Sequence, residues 1–155
     1  MEYLVIYDGN CNLCSTLVQQ LERWDQGQQF CYAPMQDTET LQAYTITASD
    51  CEKGMILINR RTDERWQGAN AAEKIGLLLP LAKPLLQVYQ SIPGLKLLGD
   101  TAYSHIRDNR YDWFGQCTTT YWSGFPRPKE LDINRNSVIM EEAKQCESDC
   151  FYPKN

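Results

Sequence analysis

Cys11 and Cys14 stand three residues apart in the stretch Tyr7-Asp8-Gly9-Asn10-Cys11-Asn12-Leu13-Cys14. A C-x-x-C pair suits either thiol–disulfide exchange or one half of a metal site. An apolar run, Tyr3-Leu4-Val5-Ile6-Tyr7, precedes the stretch, and Leu13, Leu17, Val18, Leu21 and Trp24 follow at helical spacing. This pattern predicts a strand, a glycine-containing turn, and a helix whose first turn carries both thiols. Both sulfurs then lie on one side of that turn, within reach of a disulfide. Cys11 falls at the helix N-terminus, where free backbone N–H groups favour an anion, so its thiol is expected to ionise more readily than an ordinary one. Cys14 aligns with Val18 and Leu21 and is expected to be the sheltered partner. In exchange chemistry the exposed sulfur attacks and the sheltered one resolves the mixed disulfide. That division of labour requires Cys11 to meet solvent and the two sulfurs to face one another.

Asp8 has two readings. It can cap the turn and the helix by accepting N–H groups, or it can take the proton from Cys14 as a general base during resolution. A carboxylate beside Cys11 would oppose thiolate formation, so its use depends on which sulfur it faces. No basic residue lies within the motif, which leaves the helix terminus to acidify Cys11 largely alone.

The other cysteines compete for attention. Zinc needs four ligands, and the nearest second pair is Cys146-x-x-x-Cys150, so a structural zinc protein using Cys11, Cys14, Cys146 and Cys150 is one alternative. A non-catalytic binding module with vestigial cysteines is another. Cys31 sits between Phe30 and Tyr32 in a predicted strand and reads as a small buried hydrophobe. Cys51 and Cys117 fall in predicted loops and read as free thiols. His105, the sole histidine, lies beside Ala102 and Ile106 and reads as packing.

The elements that must position the pair follow in order. Gln28 to Ala33 predicts a second strand stopped by Pro34, and Asp37 caps a short helix through Leu41 and Ala43. The apolar run from Gly54 to Ile58 predicts a strand buried on both faces, with Glu64 to Gln67 pairing back as a hairpin. Asn70 with Glu73 predicts a capping box ahead of a helix from Ala71 to Leu79. A further helix is predicted from Leu81 to Gln90. Another runs from Leu95 to about Arg110, with Leu95, Leu98, Ala102, Ile106 and Asn109 on one face and Gly115 as C-cap. This β-α-β, α, β-β-α order is that of a thioredoxin-like α/β fold: a mixed four-stranded sheet flanked by helices, with additional C-terminal helices and a tail. Residues 1–116 are expected to form the redox domain and 117–155 a C-terminal extension.

Composition narrows the function further. The 155 residues are 43% hydrophobic, enough for one domain with a real core. A net charge of −5 and a pI near 4.9 provide no basic surface for nucleic acid or anionic lipid. The uncharged apolar runs between Ile75 and Leu98 fall short of the roughly 20 residues that span a bilayer. The first strand starts by the third residue, leaving no room for a signal peptide, so a cytoplasmic protein is expected. Seven cysteines in such a protein favour catalytic or metal-binding roles over a structural framework.

With Asp8, Cys11 and Cys14 in place, the chain resembles the DCC family of thiol-disulfide oxidoreductases, named for its D-x-x-C-x-x-C signature. The likeness continues through the strand at Met55 to Ile58 and the Trp66-Gln67-Gly68-Ala69-Asn70-Ala71-Ala72 helix start. It closes at Asn109-Arg110-Tyr111-Asp112-Trp113-Phe114-Gly115. The resemblance implies a thioredoxin-like fold and a redox-active pair at Cys11 and Cys14, and it supplies no substrate; the activity expected of the pair is of the protein-disulfide reductase type, on a protein or small-molecule disulfide. It calls for no cofactor, because the electrons reside in the cysteines. Against thioredoxins proper, Asn12-Leu13 replaces their Gly-Pro, and Gly54 occupies the region where they carry a cis-proline.

Overall fold

A computed structural model describes residues 1–80, 82, 84, 91, 92, 94–125, 150 and 151. The central strand is β1 (Tyr3–Tyr7), whose aromatic and branched residues favour the extended chain. It pairs in parallel with β2 (Phe30–Pro34) and antiparallel with β3 (Ile56–Asn59), which in turn pairs antiparallel with β4 (Arg65–Gln67). The four-stranded order is therefore β2-β1-β3-β4. Helix α1 (Asn12–Asp25) provides the crossover that a parallel β1–β2 pair demands. Two short helices follow β2, α2 (Thr38–Ala43) and α3 (Ala48–Glu52). Helices α4 (Ala69–Leu78) and α5 (Leu95–Phe114) follow the hairpin, and a two-residue strand β5 (Gln116–Cys117) meets β6 (Cys150–Phe151) antiparallel. This mixed sheet between helices is a thioredoxin-like α/β fold.

The alternation along β1 divides the core. Val5 and Tyr7 point to one face and pack with Val18, Leu21, Phe30, Tyr32, Leu57 and Ile75. Leu4 and Ile6 point to the other and pack with Cys31, Ala33, Leu41, Cys51, Ile56 and Ile58. Helices thus cover both faces, which is why β1 and β3 read as continuous apolar runs. Cys31 is buried as expected, and its thiol donates to the Tyr3 carbonyl at 3.3 Å.

Several local expectations need correction. Pro34 belongs to β2 as its last residue rather than stopping it. The strand expected from Gly54 begins only at Ile56, because Gly54 turns the chain with φ +114°. Asn70 and Glu73 form no capping box: Gly68 occupies the N-cap without a side-chain bond, and both residues instead accept from Lys96 Nζ at 3.0 Å. Cys51 lies in α3 rather than in a loop. The helix expected from Leu81 to Gln90 lies largely outside the described residues.

The expected face of α5 is also wrong. Leu97 and Leu98 are 71% and 66% exposed, and Ala102 and Ile106 are exposed as well. Tyr103, Arg107, Arg110 and Phe114 face inward instead, and the helix packs against α1 and α4. Gly54 and Gly68 explain the rotation. A Cβ on Gly54 would lie 2.7 Å from the Tyr103 hydroxyl and one on Gly68 3.3 Å from the Tyr103 ring, so the two glycines leave the notch in which this tyrosine sits. The docking of α5 carries its arginines to the end of β1.

Candidate active site

The chain leaves β1 at Tyr7 and turns through Asp8, Gly9 and Asn10 into α1. Cys11 is the N-cap residue of that helix. Its backbone is extended (φ −93°, ψ 121°), and its sulfur accepts the Cys14 N–H at 3.5 Å. The two sulfurs thus share the first turn of one helix. The Cys11 thiol is lowered to about 7, chiefly by the hydrogen bond it receives from the Cys14 thiol and also by the Cys14 N–H, while burial opposes the shift. Cys14 moves the opposite way: its proton is held by that same bond, and burial adds to the effect. Cys11 is the acidic member of the pair, as expected, but the helix terminus does not act largely alone: the Cys14 thiol is the chief cause and Arg110 contributes.

Their exposure is the reverse of expectation. Cys11 has 0% of its surface exposed, whereas Cys14 is partly exposed and lines a cavity of about 90 Å³. Leu13, Leu17, Met35, Met55 and Ile106 make that cavity mainly apolar, with Tyr103, Arg107 and Arg110 beside them. Cys51 lines it too, as a free thiol pushed up by burial first and by Asp50 and Asp8 after it. What hides Cys11 comes from about a hundred residues further along the chain. Gln116 bridges to Cys11 in antiparallel fashion, the Asn12 N–H donates to the Gly115 carbonyl at 3.4 Å, and the Cys117 N–H donates to the Asn10 carbonyl at 2.8 Å. The Asn12 amide donates to the Phe114 carbonyl at 2.9 Å, completing the contact.

Asp8 caps the turn but not the helix. It is 6% exposed, and its Oδ1 accepts from the Asn10 N–H at 3.0 Å and from Gln36 Nε2 at 3.1 Å. Its Oδ2 accepts from the Tyr111 hydroxyl and pairs with Arg110 at 3.5 Å. Gln36 also accepts the Gly9 N–H at 3.1 Å, so one side chain fastens both the carboxylate and the turn. Four donors around one carboxylate satisfy it where water cannot. Tyr111 is pushed up to about 12 by burial first and by its bond to Asp8 second.

Arg110 is the charge near the pair that a reading confined to the motif does not contain. No cation lies within the motif, but α5 delivers one from about a hundred residues away, and its charge favours ionisation of both Cys11 and Cys14 while Asp8 opposes it. The Asn109–Gly115 motif held the signal, because an arginine and a tyrosine ahead of a helix end have little use on a purely apolar face. His105 takes no part in this cluster: it is exposed and meets the Trp113 ring edge-on at 5.2 Å.

Cys117 is not the free thiol expected, for it is disulfide-bonded. Cys11, Cys14, Cys31 and Cys51 are free, which leaves the tail pair, Cys146 and Cys150, to provide its partner. Cys150 stands directly opposite Cys117 in the β5–β6 register. Cys146 lies outside the described residues. The four-cysteine zinc site would need Cys146, so that alternative falls outside the described residues. Among the described residues no group of three or more His, Cys, Asp or Glu side chains is arranged to hold a metal, and no helix is long and apolar enough to cross a membrane.

The DCC1-like thiol-disulfide oxidoreductase family model matches residues 5–116. No match is found among curated proteins or among solved structures.

Proposed function

Because the chain belongs to the DCC1-like thiol-disulfide oxidoreductase family, we propose that it exchanges disulfides through Cys11 and Cys14, with a protein or small-molecule disulfide as substrate. The observation that carries this reading is the acidic sulfur at the N-cap of α1, receiving the N–H and the thiol proton of Cys14. The Cys11 thiolate attacks one sulfur of the substrate. The substrate S–S bond breaks, a Cys11–substrate disulfide forms, and the first substrate thiolate departs and takes up a proton. Cys14 then loses its proton and attacks the Cys11 sulfur, expelling the second thiolate and closing the Cys11–Cys14 disulfide. Two electrons and two protons pass to the substrate, and an external thiol returns the pair to its reduced form. Asp8 holds the turn and fixes Tyr111 and Arg110 beside the dithiol. This assigns it a positioning role.

The burial of Cys11 sets a condition on the mechanism: the segment after α5 must move before this sulfur can reach a substrate. Cys14, by contrast, already lines an open cavity, which favours a second reading in which Cys14 attacks first. Its proton is the harder one to remove, and this argues for Cys11. Trapping separates the two. Cys14→Ser is expected to accumulate a mixed disulfide with a model substrate, and Cys11→Ser is not; the opposite pattern assigns attack to Cys14. Equal reduction of a model disulfide by wild type and by Cys11→Ser would overturn the exchange reading and favour a binding module. A reduction potential of about −270 mV would place the pair with reductants, and about −120 mV with oxidants.

A further inference from the structure

Cys14 is the sulfur of the pair that an incoming molecule meets, because it lines the cavity of about 90 Å³ and Cys11 does not. The walls around it are aliphatic and thioether side chains: Leu13 and Leu17 from α1, Met35 after β2, Met55 before β3 and Ile106 from α5. The apolar character continues to the lip. Leu17 and Ile106 are 47% and 39% exposed there, and Ala72 of α4 is exposed as well. Large aliphatic side chains left in water on both sides of an opening, next to a thiol, form a surface that an apolar ligand would cover.

The polar groups of the wall are matched among themselves. Arg110 pairs with Asp8 at 3.5 Å, Arg107 Nε donates to Asp108 Oδ1 at 2.8 Å, and the Tyr103 hydroxyl is hydrogen-bonded to the Met55 backbone. A charged ligand would find these partners taken and would shed its water against leucine and methionine. Size narrows the class further. An apolar cavity of about 150 Å³ takes benzene, so on the same scale this one takes a group of roughly three or four carbons. The two methionines can adjust to its outline. Glutathione disulfide does not meet this description, since it carries carboxylates and ammonium groups. Nor does a cysteine within a polypeptide, whose sulfur is one methylene away from polar amides.

We propose that this cavity is the substrate subsite and that the substrate is a small aliphatic disulfide, R–S–S–R, with uncharged R groups of roughly three or four carbons. One R group seats among Leu17, Met55 and Ile106. Its sulfur then lies against Cys14 and close to the Cys11 sulfur, which accepts the Cys14 N–H. The substrate S–S bond breaks, two R–SH molecules leave, and the Cys11–Cys14 disulfide forms, with two electrons and two protons passing to the substrate. The seat serves either order of attack. Turnover rests on the exchange reading above, whereas the seat stands on the cavity alone.

Two series test it, one for the seat and one for the reaction. The first uses the full chain carrying Cys11→Ser, in which Cys14 is the sole cysteine between Met1 and Arg23. Alkyl methanethiosulfonates from methyl to hexyl label Cys14, which displaces methanesulfinate and gains the S-alkyl group, and peptide mass follows the rate. Each rate is divided by that of the same reagent with 2-mercaptoethanol, which removes intrinsic reactivity. Each buried methylene should raise the quotient about fourfold, so propyl should exceed methyl by about tenfold or more, with no further rise beyond butyl. Quotients alike within twofold from methyl to butyl would overturn the proposal, and so would a rise that continues unbroken to hexyl. In the second series the reduced wild-type chain meets dialkyl disulfides of the same lengths, and glutathione disulfide, in single turnovers, each rate divided by that with dithiothreitol. Dipropyl disulfide should outpace glutathione disulfide by about tenfold or more, and the reverse order would overturn the substrate class. A chain-length preference in labelling without reduction of any disulfide would refute exchange and leave only the seat. Equal reduction of every disulfide would refute the seat and leave exchange standing.

Discussion

Asp8→Asn tests most directly how the site is held. The substitution keeps the shape of the side chain but removes its charge, and it sets an amide N–H group where the Tyr111 hydroxyl and the Arg110 guanidinium now donate. The Arg110 and Asp8 side chains are 13% and 5% exposed, so the guanidinium would lose its carboxylate in a place where little water can replace it. Removing one partner of such a pair costs about 3–5 kcal/mol. Arg110 keeps two other contacts, donating to the Tyr111 hydroxyl and the Arg107 carbonyl at 3.0 Å each, which favours the low end, about 3 kcal/mol. That is roughly a hundredfold in the folding equilibrium. Urea unfolding of the reduced protein measures it, with the midpoint falling and the slope unchanged. Asp8 also opposes ionisation of Cys11, so the same variant should titrate Cys11 at lower pH than wild type. Lower stability with an exchange rate per folded molecule close to wild type is the expected combination. A loss of exchange without a loss of stability would refute the positioning role and make Asp8 the base that deprotonates Cys14.

Thiolate absorbance of the reduced protein, with Cys11→Ser as blank, should rise through pH about 7, against 9 for an ordinary thiol. Cys14→Ser should move that midpoint upward, since the bond from Cys14 is its largest cause. The same shift links stability to pH. A thiol that ionises more easily folded than unfolded adds stability above its unfolded value and loses it as pH falls towards 7, so stability attributable to Cys11 should rise between pH 7 and 9. Cys14, shifted upward, contributes below its unfolded value and gives that contribution up as pH rises further; no such pattern in urea midpoints would refute the assignment. Gly9→Ala should destabilise by about 1–3 kcal/mol through overpacking against Thr120, Pro34 and Tyr121, with partial recovery on adding Thr120→Ala, both read by thermal unfolding. Asp25→Ala should cost about 2–4 kcal/mol in urea unfolding, because the buried carboxylate accepts the N–H groups of Gln29 and Phe30 where α1 turns into β2; a change under 0.5 kcal/mol would contradict this.

What was legible in the sequence was what local pattern decides. The apolar run at Tyr3–Tyr7, the Asp37 cap, the Gly115 helix end and the placing of Cys11 at a helix N-terminus all follow from residues within a few positions of one another. The failures share a different cause. Asn70 and Glu73 matched a capping box, but Lys96 from another helix claims both side chains. Leu95, Leu98, Ala102, Ile106 and Asn109 suggested an inner face for α5, but a tyrosine fitting two glycines about 35 and 50 residues earlier fixed its rotation. Helix α3, five residues long, is too short to show a period. The covering of Cys11 depends on a segment more than a hundred residues distant, which no window around the C-x-x-C motif contains.

That distance has a consequence during synthesis. The cysteine motif emerges among the first residues of the growing polypeptide, but Arg110 and the Tyr121 carbonyl arrive only 102 and 114 positions after their partners Asp8 and Tyr7. At about 5–20 residues per second, the nascent chain carries an uncovered dithiol for roughly 5–20 s before its guard can be laid down. During that interval Cys11 lacks the backbone contacts from Gly115, Gln116 and Cys117 that bury it in the finished fold, so its shelter is among the last parts of the site to be completed.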